Sequence, residues 1–289
     1  MQAAIRYGLQ PTLLAVSLAI WAWIPETELA LVTALFFSHV TIALLEARRP
    51  TRPEWRVETP LRVGHVVAFV VLLGVGGVVG EFYGGTLSPL LAELRATAGL
   101  DFWPHEWPAL AQLAIVFFAS EFVWYWMHRA EHRWPRVWRV SGHGAHHAFK
   151  KLNGLNAGLN HPLELFLLLL PSAVIEFLFG VGSAAGGAAI LLGTQAAVAH
   201  ANLDLNSRGI GWLLTTNRFH IHHHSVVLDE SNTNYGCAVI LFDRVFGTFS
   251  DAETRETGTG PTEPDMWHKF IMPFVEPEDT ATAPGGSPG

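Results

Sequence analysis

The residues best equipped for chemistry in this 289-residue chain are histidines, which fall into three groups. They read His128-Arg-Ala-Glu-His132, then His143-Gly-Ala-His146-His147, then His220-Ile-His222-His223-His224. Residues three and four apart share a helix face. His128 and His132 therefore point the same way, as do His143, His146 and His147, and again His220, His223 and His224. Neutral imidazole is the commonest protein ligand for transition metals and suits iron, zinc, copper and nickel. Three such faces can wrap a metal centre. A structural zinc closes with about four ligands, too few to use eight clustered histidines. Two metal ions fit the count, and a nitrogen-held pair can activate oxygen or water. His222 falls outside the His-x-x-His-His register and is expected off the shared face, exposed or supporting a ligand. His39, His65, His105 and His268 stand alone and are expected as capped or exposed helix residues. A basic, histidine-rich loop would also attract anionic lipid headgroups. That explains the arginines but not the helix-face spacing.

The elements that must position these groups are apolar. Half of the residues are hydrophobic, only 15% are charged, and the mean hydropathy is +0.28. These values mark a membrane protein rather than two soluble domains. Apolar runs cover residues 7–24, 29–45, 63–83, 108–126, 161–179 and 184–199, close to the roughly 20 residues that a spanning helix needs. The last two, joined by Gly180-Val-Gly182, form two spans or a re-entrant hairpin. The predicted fold is all-α integral membrane, with four to six transmembrane helices and a cytoplasmic helical cap carrying the histidine groups. The first run reads as a span rather than a signal peptide, because its start is weakly basic and no small-residue cleavage site follows. Gly76, Gly80 and Gly84 predict close helix packing in lipid, and residues 84–107 an interfacial loop. An even number of spans places residues 46–62, the linker after His128 and everything beyond residue 199 on one side. That side holds almost all of the arginines, with only Arg95 in a loop opposite. The positive-inside rule makes it cytoplasmic, in a bacterial inner membrane. Residues 276–289 read as a disordered tail. The one cysteine, Cys237, excludes an intrachain disulfide and a cysteine metal site. No basic stripe with interleaved aromatics points to a nucleic-acid partner.

The three groups resemble the three histidine boxes of the fatty acid hydroxylase / sterol desaturase superfamily. So do Arg218-Phe-His220, Asn234-Tyr-Gly236 and Asp243-Arg-Val-Phe-Gly-Thr248. His161-Pro-Leu-Glu164 and His200-Ala-Asn202 also fall where that family places such residues. The resemblance runs from about residue 117 to 249. It divides the chain into N-terminal transmembrane helices (1–116), a fatty acid hydroxylase-like catalytic domain (117–250) and a C-terminal extension (251–289). It implies a membrane-bound, non-haem di-iron oxidoreductase. Such enzymes use O2 and electrons to hydroxylate or desaturate a C–H bond of a lipid, such as a sterol or fatty acyl chain. By that resemblance His128, His132, His143, His146, His147, His220, His223 and His224 are catalytic metal ligands and His200 is a ninth ligand. Family members often carry a histidine four residues after that position, where this chain has Asp204. Either Asp204 or His161 takes the place, or one metal keeps an open position. The implied partners are the membrane, a lipid substrate and an electron donor of the ferredoxin or cytochrome b5 kind. The donor is expected to be separate, since no cysteine cluster or haem motif is present, and acidic, to suit the basic loops.

Neighbouring residues carry smaller expectations. Glu164 can orient a ligand imidazole through its second nitrogen. Glu121, buried in a span, is either functional or an interhelical hydrogen-bond acceptor. Asn234 and Tyr235 should cap and pack the third box, and Asp243 and Arg244 should pair with each other. Three other readings compete: a metal-dependent membrane hydrolase needing neither O2 nor reductant, a non-catalytic bis-histidine haem electron carrier, and a metal transporter or sensor.

Overall fold

The computed structural model describes residues 2–100 and 102–275; the expected tail at 276–289 lies outside them. The described residues form helices and no strand, with one isolated bridge between Ser225 and Thr257. The long helices are α1 (Gln2–Trp23), α2 (Thr27–Arg48), α3 (Thr59–Glu81), α5 (Ala109–Arg133), α8 (Pro162–Phe179) and α9 (Ser183–His200). Five helical stretches, Gln2–Trp23, Thr27–Arg48, Thr59–Ala98, Ala109–Arg133 and Pro162–Phe179, are long and apolar enough to cross a membrane. Their apolar side chains stay largely uncovered by the protein, with only 11% of the Thr59–Ala98 window buried. That is tolerable only where lipid takes the place of water. The chain is an all-α integral membrane protein.

The sixth apolar run, α9, has a different role. It is rich in alanine and glycine, and α1, α2 and α5 close in around it. Ser17 and Thr194 share a hydrogen bond of 2.8 Å, and Gln10 donates to Gln195 at 3.1 Å. Such polar cross-links hold helices together where the hydrophobic effect offers no drive.

Two expectations of the N-terminal half are corrected. Residues 84–98 are helical rather than a loop: α3 passes through a π-helical segment at Phe82–Leu87 into α4 (Ser88–Ala98). Pro89 falls where the π-helical segment hands over to α4, and the changed hydrogen-bond register of such a segment accommodates its missing N–H. Nor do Gly76, Gly80 and Gly84 pack a helix closely. A Cβ at any of them would meet nothing within 4 Å. This glycine face opens away from the protein, so it leaves room for lipid rather than for a second helix.

Helix directions bring the boxes together. The N-terminal ends of α1, α3 and α8 and the C-terminal ends of α2, α5 and α9 lie at one end of the bundle. The cap covers that end, with α6 (Pro135–Ser141), α7 (His143–His147) and α10 (Asn217–His223). Glu46 at the end of α2 ties it down, accepting from the backbone N–H of Gly154 (3.0 Å) and Asn202 (2.8 Å). Asn217 opens α10 and donates to the carbonyls of Ala201 (2.7 Å) and Leu203 (2.6 Å) beyond α9.

Candidate metal centre

Nine buried imidazoles meet beneath the cap in two adjoining sets. The first holds His128 and His132 of α5, His143 and His147 of α7, and His223 of α10. The second holds His146 of α7, His200 of α9, and His220 and His224 at the end of α10. The parallel rings of His147 and His224, 4.2 Å apart, join the sets. The second and third boxes are therefore each divided between the sets. An α-helix turns about 100° per residue, so positions i and i+4 lie about 40° apart while i+3 and i+4 diverge by about 100°. His143 and His147 go one way and His146 the other; His220 and His224 go one way and His223 the other.

In four of the rings a hydrogen bond on the far side sets the tautomer. His128 Nδ1 donates to the Tyr235 carbonyl (2.6 Å), His223 Nδ1 to the Thr233 carbonyl (2.8 Å) and His143 Nδ1 to Glu164 Oε1 (2.6 Å). Neutral imidazole carries one N–H, so in all three rings Nε2 is a bare lone pair. Yet His128 Nε2 lies 2.9 Å from His143 Nε2 and 3.0 Å from His223 Nε2. Three lone pairs facing one another repel unless a cation sits among them. In the second set His200 Nδ1 donates to the Ala196 carbonyl (2.8 Å), leaving its Nε2 bare, 3.2 Å from Nε2 of both His146 and His220. The donor chemistry fits a metal ion in each set. Helix geometry adds to the fit. His132, His146, His147, His200, His220 and His223 all lie in the last turns of their helices, where the negative end of the helix dipole favours a cation.

Burial, and next the mutual repulsion of neighbouring imidazolium charges, hold His143, His146, His147, His220, His223 and His224 well below the ordinary histidine value of 6.5. All six are neutral at pH 7, as metal ligation requires.

The other motifs hold this arrangement in place. Glu121, in α5, accepts from the backbone N–H of Ala238 (2.7 Å) and Val239 (3.0 Å), so it is an anchor between segments. Asp243 accepts from the N–H of Tyr235 and Gly236 and the hydroxyl of Thr248, each at 2.7 Å. These two carboxylates pin residues 235–239, whose Tyr235 carbonyl sets the tautomer of His128. Gly236 is needed there, because a Cβ would lie 2.2 Å from the Val239 carbonyl oxygen. Asn234, at φ +54°, bonds the carbonyls of Phe219 and Ser250 and so closes off the third box. Asp243 and Arg244 do not pair. Arg244 bonds the carbonyls of Gly211 and Trp212 and lies over the Phe249 ring.

Two of the residues expected as ligands are not brought to either set. His161 caps α8: its Nδ1 accepts from Leu163 N–H, and its Nε2 donates to the Phe270 carbonyl at 2.9 Å. Asp204 is partly exposed and pairs with Arg6 at 3.0 Å. His222 is buried rather than exposed, with Nδ1 2.6 Å from the Thr254 hydroxyl. His39 and His65 are buried as well, against Phe69 and Phe149. One residue escaped sequence reasoning. Glu131 is 1% exposed and lies beside His143 and Glu164. Its place inside the first box, seven residues from Trp124 on a buried face, was the available signal.

Residues 113–248 match the fatty acid hydroxylase family. The chain is 29% identical over 263 residues to an ornithine lipid hydroxylase of Rhizobium tropici, covering 86% of this chain and 76% of that one. It is 27% identical over 208 residues to a lathosterol oxidase of Rattus norvegicus, covering 70% and 65%. A very-long-chain aldehyde decarbonylase of Oryza sativa subsp. indica is 29% identical, with 57% and 59% covered. No solved structure matches the chain.

Proposed function

We propose that this chain, which belongs to the fatty acid hydroxylase family, is a membrane-bound di-iron oxygenase that hydroxylates or desaturates a C–H bond of a lipid. The observation that carries the reading is the convergence of bare Nε2 lone pairs from His128, His143 and His223, with a second four-histidine set beside it. Two iron ions held there would supply O2-activating oxidation chemistry, with electrons from a separate donor. His128, His132, His143, His147 and His223 would hold one ion, and His146, His200, His220 and His224 the other. Four of the nine rings, those of His128, His223, His200 and His143, are held by Tyr235, Thr233, Ala196 and Glu164, which reduces the reorganisation needed on loading. Burial of every one of these side chains keeps bulk water from the reacting atoms.

Lipid access is supported by the open glycine face of α3, and a headgroup position by a polar cleft of about 590 Å³ at the box end of the bundle. Arg6, Arg52, Arg208 and Arg218 line that cleft with Asp204 and Glu253, a set suited to an anionic or zwitterionic headgroup. A relative acting on an ornithine lipid fits that chemistry. Arginine on the box side supports a cytoplasmic cap in a bacterial inner membrane.

The test is metal content and absorption on protein purified anaerobically in detergent, followed by lipid turnover with O2 and a reductant. About two irons per chain, no Soret band, and an O2-dependent lipid product support the proposal. Turnover without O2 would make the protein a hydrolase, and a Soret band would make it a haem carrier.

A further inference from the structure

The imidazole sets bring no negative charge of their own. Nine neutral rings holding two divalent ions would leave the full ionic charge inside a site whose side chains are all 5% exposed or less. Charge balance must come from nearby, and four buried acids stand close enough to consider. Two are committed. Glu121 accepts two backbone N–H groups, and Asp243 accepts two more and a hydroxyl.

The other two are not. Glu131 and Glu164 are each 1% exposed and flank His143. Glu164 Oε1 lies 2.6 Å from His143 Nδ1 and Glu131 Oε2 lies 3.8 Å from the same nitrogen. Both oxygens of Glu131 and Oε2 of Glu164 have no hydrogen-bond partner. Burying unpaired carboxylate oxygens is costly. Beyond His143 they have weak contacts only, with the Ser141 hydroxyl for Glu131 and the backbone of His161 for Glu164. The group they share is His143, and their charge serves what His143 holds.

Their placement is one-sided. His128, His223 and His200 are oriented by neutral carbonyls, whereas His143 is backed by a carboxylate. A carboxylate behind an imidazole raises its basicity and strengthens the metal bond. The set that contains His143 also has five rings against four.

We infer that Glu131 and Glu164 are positioning residues that make the five-histidine set the tight metal site, filled first, and leave the four-histidine set the weaker, exchangeable one. This rests on the two-metal reading above. Binding is followed in metal-free detergent-purified protein titrated with Co(II), whose absorption reports each ion as it enters. Wild type should take up two equivalents in two steps. His146→Ala should remove the second step, which assigns it. Glu164→Gln keeps an oxygen for His143 Nδ1 but removes the charge, and Glu131→Gln does the same one step further away. Each should weaken the first step about 10- to 100-fold, alter the first-step Co(II) spectrum and leave the second step in place. Glu164→Ala, which also frees the ring, should weaken it further. Circular dichroism checks that each variant is folded.

Equal weakening of both steps would show a general structural role and overturn the inference. So would unchanged first steps in both glutamine variants, or a third equivalent lost with Glu131, which would make the carboxylates ligands. Uptake of fewer than two equivalents by wild type would instead sink the two-metal reading, independently of the carboxylates.

Discussion

Gly142 joins α6 to the second histidine box, and Gly142→Ala should disable the box through two separable effects. The residue sits at φ +78°, in the left-handed region that costs an L-residue about 1–2 kcal/mol. A Cβ there would also lie 2.5 Å from both Cβ and Cγ of His161, far inside van der Waals contact. His161 cannot step aside, because both of its ring nitrogens are bonded, to Leu163 N–H and to the Phe270 carbonyl. Relief of such overpacking costs roughly 1–3 kcal/mol, so the sum is about 2–5 kcal/mol. The displaced residue next in line is His143, whose Nδ1 and Nε2 both have fixed neighbours. Metal uptake should therefore suffer along with stability. The assay is thermal unfolding in detergent, with metal content measured on the same samples, for Gly142→Ala in wild-type and His161→Gly backgrounds; glycine is needed because the Cβ of His161 is itself one of the atoms met. In the second background only the dihedral cost of about 1–2 kcal/mol should remain. An identical cost in both backgrounds would refute the argument that the His161 side chain is what the new methyl meets.

Four further outcomes follow from the same geometry. His222→Ala should retain both metals, since its ring bonds Thr254, whereas His146→Ala should lose one ion and all turnover; equal losses would show the sets to be misassigned. Asp204→Ala should keep its metal and lose only about 0–1 kcal/mol, as partly exposed ion pairs do; loss of an ion would restore Asp204 as a ligand. Asp243→Asn should cost on the order of 3 kcal/mol, because three hydrogen bonds to its carboxylate hold residues 235–236 and Thr248, and it should perturb the His128 signal in NMR of the metal-free protein. The cap histidines lie well below 6.5 when folded, so the unfolded chain binds protons first. The contribution of these histidines to metal-free stability should be complete above about pH 6.5 and fall as the pH drops below it, with metal affinity falling in the same direction; Asp243, pushed up to about 6 by burial, acts with the opposite sign. Histidine NMR signals of the folded metal-free protein are therefore the readout, and cap histidines that titrate at or above 6.5 would contradict the burial argument.

Much of the protein was determined by the sequence alone, for a local reason. Hydrophobic run length sets membrane spans because the bilayer is about 30 Å thick. Helix periodicity puts His128 with His132 and His143 with His147 wherever the helices lie. The parity of the spans and the one-sided arginines put all three boxes at one end. These features depend only on neighbours along the chain, as does the match of Asn234-Tyr-Gly236 and Asp243 to Thr248 with a family pattern.

Only the tertiary structure decided how the rings are shared. Nothing local tells that His146 leaves its own box for His200, 54 residues away, because the choice depends on the angle at which α7 meets α9 and α10. Pairings made across the fold were equally hidden. The Gly84–Ala98 helix was masked by its glycines, and the open face of α3 by a spacing that serves packing elsewhere. Glu121, read as either functional or an interhelical acceptor, and Asp243, expected to pair with Arg244, proved to be anchors for the segment behind His128. Glu131, passed over between two histidines, proved to be buried beside His143. A carboxylate's role is set by which N–H groups surround it in space, and that environment is assembled from segments far apart in sequence.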